Sequence, residues 1–250
     1  MLMKYRTGLF LYRQQRDIFI RQLKYNYMIF ENKIMPILST DFSEDALTFK
    51  DKRLLGITDE YFEDIYNHCQ DEEDYFMSIE TESFHYYDFL KETSYRTLAM
   101  WICCTCQLWE QQLLRFLRQE IDNGDLNGEI IPTNWPATIT MLSNYGIDIE
   151  KMNCWKSISE LRDVVNVLKH SEGKSEEHLR KNRPDIFLIN GKDCLRIYHT
   201  TLGEVVLNIK MNDLKEYTDA LIEFWNAIPT NRWIVKKVLI RQMVMNLYKK

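Results

Sequence analysis

The sequence predicts an all-α protein, a helical bundle with one small antiparallel β-hairpin or three-strand insert near residues 186–210. Three observations carry that expectation. The 250 residues include only eight glycines and five prolines, too few breakers for a turn-rich sandwich. Apolar residues recur at spacings of three and four along most of the chain, the period of helices buried along one stripe. Asn190-Gly191 stands between two β-prone runs, Ile186-Phe187-Leu188-Ile189 and Cys194-Leu195-Arg196-Ile197-Tyr198, with a third run at 204–209. That dipeptide favours the positive φ angles of a tight hairpin turn. With 45% hydrophobic and 28% charged residues, the chain can bury a full core without disulfides or a metal.

Apolar spacing places helices at about 9–34, 58–78, 84–121, 135–145, 157–170, 175–182, 212–227 and 231–248. Ser157-Ile158-Ser159-Glu160 reads as a capping box, and Gly173 as a stop just after His170. Ser175-Glu176-Glu177 opens a short helix that must end before Pro184. We read 1–250 as a single helical domain in which 1–56 forms an N-terminal helical extension.

Charge is uneven along the chain. Residues 1–35 carry five more basic than acidic groups, and 36–92 carry twelve more acids than bases, densest at Asp71-Glu72-Glu73-Asp74. Arg232 to Lys250 is basic with no acid. Two readings fit: internal charge pairing with solvated faces, or basic terminal helices lying against a polyanion. The net charge of -5 excludes a generic nucleic-acid coat, so any polyanion site is local.

No secretory signal is read at the N-terminus, because Leu9-Phe10-Leu11 is soon broken by Arg13 and Arg16. A cytoplasmic location with reduced cysteines is therefore expected. No apolar run is long enough to span a membrane, Leu98 to Leu108 being the nearest. Phosphate-loop, dinucleotide, zincin, serine-hydrolase and paired CxxC motifs are missing, so no cofactor and no metal are expected. Cys103-Cys104-Thr105-Cys106, between Trp101-Ile102 and Leu108-Trp109, reads as buried apolar packing. His68, His85 and His199 lack partners at telling spacings and read as structural or surface residues.

The segment from Glu160 to His170 differs. Leu161, Val164, Val165 and Leu168 form a stripe for a core, while Arg162, Asn166 and His170 recur every four residues on the adjoining flank. Arg162 and His170 are separated by about 12 Å of helix rise. Metal-free RNA cleavage needs a 2′-OH deprotonated, a 5′-oxygen protonated and phosphoryl charge stabilised. Histidine suits either proton transfer, and arginine's planar fork suits the charge. Glu110, between Trp109 and Gln111, is a candidate to orient Arg162 or His170; a surface carboxylate or structural ion pair is the plainer reading. The whole row also fits ordinary solvation of an amphipathic helix with His170 at its C-terminal end.

Arg162-Asp163 followed by His170 near a helix end resembles the signature of the HEPN superfamily. Lys169-His170-Ser171-Glu172-Gly173 and Arg183-Pro184-Asp185-Ile186-Phe187 look like the tail of bacterial HEPN-like proteins, and the resemblance covers about Phe84 to Phe187. It implies an all-α bundle, commonly a homodimer, and metal-independent endoribonuclease activity with RNA as substrate. It also implies a role in antiviral defence or a toxin-antitoxin system, with an antitoxin or defence partner. Arg162 matches the motif arginine, Asp163 its polar neighbour and His170 the motif histidine. Seven residues lie between Arg162 and His170, more than the family usually has, which leaves Asn166 open to take the polar role. Two alternatives stand beside this reading. One is a catalytically inactive HEPN-like RNA- or protein-binding module. The other is a peripheral membrane-surface protein using its basic, aromatic-rich terminal helices.

Overall fold

A computed structural model describes residues 9–38, 41–55, 69, 71–122, 131–132, 134–199 and 204–230. Among them the chain is mostly helical with one two-stranded antiparallel sheet. The expected helix at 231–248, residues 58–68 and 70 of the one at 58–78 (His68 among them), and residues 1–8, 39, 40 and 56 of the expected N-terminal extension lie outside the described residues.

Residues 9–11 run extended between two parts of the fold. The Leu9 N–H donates to Tyr145 O and the Leu11 N–H to Pro229 O, and both side chains are buried. Helix α1 (Arg13–Ile29) therefore starts later than the periodicity suggests. It continues through a π-helical turn (Phe30–Ile34) into α2 (Met35–Leu38). The wide turn ends two residues before Pro36, which has no N–H to continue the α ladder. Helix α3 (Ser43–Leu54) falls within the expected N-terminal helical extension, although apolar spacing marked no separate helix there. Its buried contribution is small, Ala46 and Arg53 only, so its apolar stripe is weak.

Helix α4 (Glu72–Asp122) is 51 residues long, about 76 Å at 1.5 Å per residue. It joins what the sequence suggested were two helices, since nothing between Glu72 and Asp122 is glycine or proline. The acidic run is its start: Asp71 Oδ1 accepts from the Asp74 N–H at 2.9 Å, and Glu72, Glu73 and Asp74 face the positive end of the helix dipole.

Helix α5 (Trp135–Asn144) is capped by Asn134, whose side chain accepts from the Ala137 N–H. After a short 3₁₀ turn (Ile149–Lys151), α6 (Trp155–His170) begins two residues before the expected capping box. Its N-cap is Cys154, and Glu160 is drawn instead to Arg183 and Tyr217. Ser171 at φ 63° ends α6, and Gly173 at φ 144° leads into α7 (Lys174–Asn182) rather than merely stopping α6.

The insert is smaller than expected. After a 3₁₀ turn (Pro184–Phe187), β1 (Leu188–Ile189) pairs with β2 (Lys192–Asp193) around Asn190 and Gly191, both at positive φ. The next run forms helix α8 (Cys194–Tyr198), because Asp193 caps it through the Arg196 N–H and Leu195 is buried. Residues 204–209 are not a strand; Leu207 N–H is taken by Tyr95 Oη and Asn208 N–H by Ile186 O.

The core lies where α1, the C-terminal half of α4, α6 and α9 (Met211–Ala227) meet. Trp225 contacts Phe19 at 4.7 Å between ring centroids, and Phe224 meets Trp109 edge-on at 5.3 Å. Buried Gln112 ties three of these helices together. It donates to Phe19 O and Gln22 Oε1 on α1, and accepts from Trp225 Nε1 on α9 at 2.8 Å. The cysteine run is only partly core: Cys106 is buried, but Cys104 is exposed because it lies about 160° away round the helix.

Candidate functional site

Helix α6 sends its polar residues in three directions, and its angular arrangement explains why. At 100° per residue, Asp163, Asn166 and His170 share a sector about 60° wide, with Arg162 at its edge. Arg162 turns toward α4, where Nη1 donates to Glu110 Oε1, and its guanidinium lies 4.0 Å from the centroid of the Trp135 ring. Of the five residues singled out from sequence, Glu110 and Arg162 are thus brought together.

Asp163 and Asn166 face α7. The Asp163 carboxylate pairs with His178 Nδ1, and Asn166 Nδ2 donates to Ser175 Oγ at 3.0 Å. Glu160 extends the row, accepting from Arg183 Nη1 at 2.6 Å and from Tyr217 Oη at 2.8 Å. These contacts form an interhelical ladder: ascending α6 from 160 to 166, the partners descend from 183 to 175. Burial and the Glu160 carboxylate together hold the Tyr217 phenol above its ordinary range.

His170, at the last position of α6, is exposed and makes no hydrogen bond or ion pair among the described residues. Lys169 beside it is also exposed. The row therefore does not converge on one point within one chain. Arg162 reaches α4, Asn166 reaches α7 and His170 faces solvent.

The Glu110–Arg162 pair forms one side of an open cleft of about 570 Å³. Trp135 and Asn134 come from the start of α5, Leu113, Leu114 and Arg118 from α4. Trp135 is fixed from several sides: Trp109 meets it edge-on at 5.5 Å, and Trp155 lies parallel at 6.4 Å. Among the described residues no cluster of His, Cys, Asp and Glu could hold a metal ion, and no helix is long and apolar enough to cross a membrane.

Trp135, Arg118 and His178 were not singled out from sequence. For His178 a signal existed: Ser175 and His178 on one helix repeat the three-residue spacing of Asn166 and Asp163 on the other, as an antiparallel helical hairpin requires. Trp135 and Arg118 gave none, because they meet Arg162 only through tertiary packing. Compared with known proteins, the chain matches no family model, no curated protein and no solved structure.

Proposed function

We propose that this chain is a HEPN-like protein that binds RNA and cleaves it without a metal, with His170 transferring the proton. The observation that carries this reading is the state of His170: an exposed imidazole at a helix end, next to exposed Lys169, with none of its ring nitrogens engaged among the described residues. A side chain in that state is accessible to a phosphodiester.

One imidazole cannot serve both ends of the reaction at once. The proposal therefore includes a homodimer that sets two His170 side chains against one phosphodiester. One removes the proton from the 2′-OH, whose oxygen attacks phosphorus. The other protonates the departing 5′-oxygen, leaving a 2′,3′-cyclic phosphate and a 5′-OH. Lys169, adjacent to His170, supplies positive charge for the phosphoryl oxygens. A cytoplasmic role in antiviral defence or a toxin-antitoxin system, with an antitoxin partner, belongs to the same proposal and rests on the resemblance in the α6 motif.

A second reading is an RNA- or protein-binding module without catalysis. It is favoured by the engagement of Arg162 with Glu110 and of Asp163 and Asn166 with α7. One experiment separates the two. Wild type and His170→Ala are incubated with total RNA in EDTA and in magnesium, and the ends formed are analysed. Wild type is expected to generate 2′,3′-cyclic phosphates in EDTA, and the variant to be slower by about a hundredfold or more. RNA retardation by the wild type with no cleavage under either condition selects the binding module.

A further inference from the structure

We infer that the cleft at the N-terminal end of α5 is a binding site for a small organic phosphomonoester. The site contains Arg162 of the α6 motif but not His170, on which the ribonuclease reading rests, so the two readings fail separately. Its volume, about 570 Å³, falls within the range of small-molecule pockets.

Three sources of positive potential meet in this one concavity. Arg118 is exposed and makes no hydrogen bond or ion pair among the described residues. Arg162 enters with one guanidinium nitrogen on Glu110 and its face on Trp135, and a guanidinium has five N–H donors, so others remain for a ligand. The ten-residue helix α5 opens into the cleft at Asn134 and Trp135, adding the positive end of its dipole. Against these stands one carboxylate, Glu110, which leaves the lining with one net positive charge.

The ligand class follows from charge and shape together. A phosphomonoester carries about 1.5 to 2 negative charges near neutral pH, more than a carboxylate, and its three terminal oxygens can engage two arginine forks at once. Beside the cations lie Leu113, Leu114, Ile131 and Pro132, an apolar wall with room for an organic body that inorganic phosphate would leave uncovered. Trp135 holds Arg162 in place, so the second cation is already oriented before a ligand arrives.

The test is calorimetric titration of the full chain at low salt with inorganic phosphate, a hexose phosphate and a nucleoside 5′-monophosphate. It is run on wild type, Arg118→Ala and Glu110→Gln, each checked by circular dichroism and thermal melting. At least one organic phosphomonoester is expected to bind more tightly than inorganic phosphate, and the two organic arms identify which body the wall accepts. Arg118→Ala is expected to weaken binding by about tenfold or more, the scale of one lost charge-assisted contact. Glu110→Gln is expected to tighten it, because Arg162 loses its competing carboxylate. Absence of binding for all three compounds, or equal affinity in wild type and a folded Arg118→Ala, overturns the assignment. Binding of inorganic phosphate alone overturns the organic-ligand class.

Discussion

Cys106 shows how one buried side chain reports on its surroundings. It lies one turn before Glu110 on α4, and burial, with a smaller push from the Glu110 carboxylate, raises its thiol from 9.0 to about 12, although Arg162 and Lys169 pull the other way. The folded state therefore holds its proton more tightly than the unfolded chain does. The contribution to stability is fully present below pH 9 and is lost as pH rises from 9 toward about 12. Urea unfolding at pH 8 and pH 10.5 should show a loss for wild type that is smaller in Cys106→Ala, after allowing for the variant's lower starting stability. An identical pH dependence in both would mean that the titration acts elsewhere, with buried Tyr217 the next group to test. The sequence suggested burial for Cys103, Cys104 and Cys106 alike. An apolar neighbourhood in sequence does not say which side of a helix faces the core, and only Cys106 is buried on that side.

At the scale of elements, the turn between α6 and α7 decides whether the polar ladder can form. Gly173 sits at φ 144° and ψ -167°, a backbone region open almost only to glycine, and a Cβ placed there would meet nothing within 4 Å. Gly173→Ala should thus cost about 1–3 kcal/mol from backbone strain alone, read as a lower urea midpoint with an unchanged slope. A cost near zero would mean the turn relaxes and the ladder tolerates another path. Most helices were legible from sequence because their stripes are buried on one side: α6, α7 and α9 fall within two residues of the expected ends. The failures have local physical causes. Leu195 and its neighbours suit a strand or a helix, and the Asp193 cap selects the helix, a contact that a β-propensity reading does not weigh. The site was legible only in part. Glu110 with Arg162 was foreseeable as a charge pair on two helices, whereas the diversion of Asp163 and Asn166 toward α7 required knowing that the two helices run antiparallel.

The whole molecule is uneven in how its longest helix is held. From about Leu98 onward α4 is enclosed by α1, α6 and α9, with Ile102, Trp109, Leu113, Phe116 and Leu117 buried. Its N-terminal half lies against α3, with Ile79 and Ser83 buried, while Phe76, Met77, Phe84 and Phe89 are exposed. The joining contacts include polar and surface groups: Ser83 Oγ donates to Ala46 O at 3.0 Å, Tyr75 Oη donates to Arg53 O at 3.3 Å, Phe49 stacks on Tyr86 at 4.6 Å and Lys50 reaches Glu80 at 3.1 Å. A surface ion pair of this kind contributes little, and the smaller buried apolar area gives this end less stability than the bundle. Continuity of backbone hydrogen bonding does not remove the difference, since a helix can open from one end while its other end stays packed. Hydrogen exchange should therefore divide α4 in two. Amides of residues 75–95 and of α3 are expected to exchange faster than those of 100–120 by about tenfold or more, with the transition near Leu98, where enclosure begins. Uniform protection along all of α4 would show that the α3 end is held by more than α3, and the exposed Phe76, Phe84 and Phe89 would then be the first place to look for the additional contact.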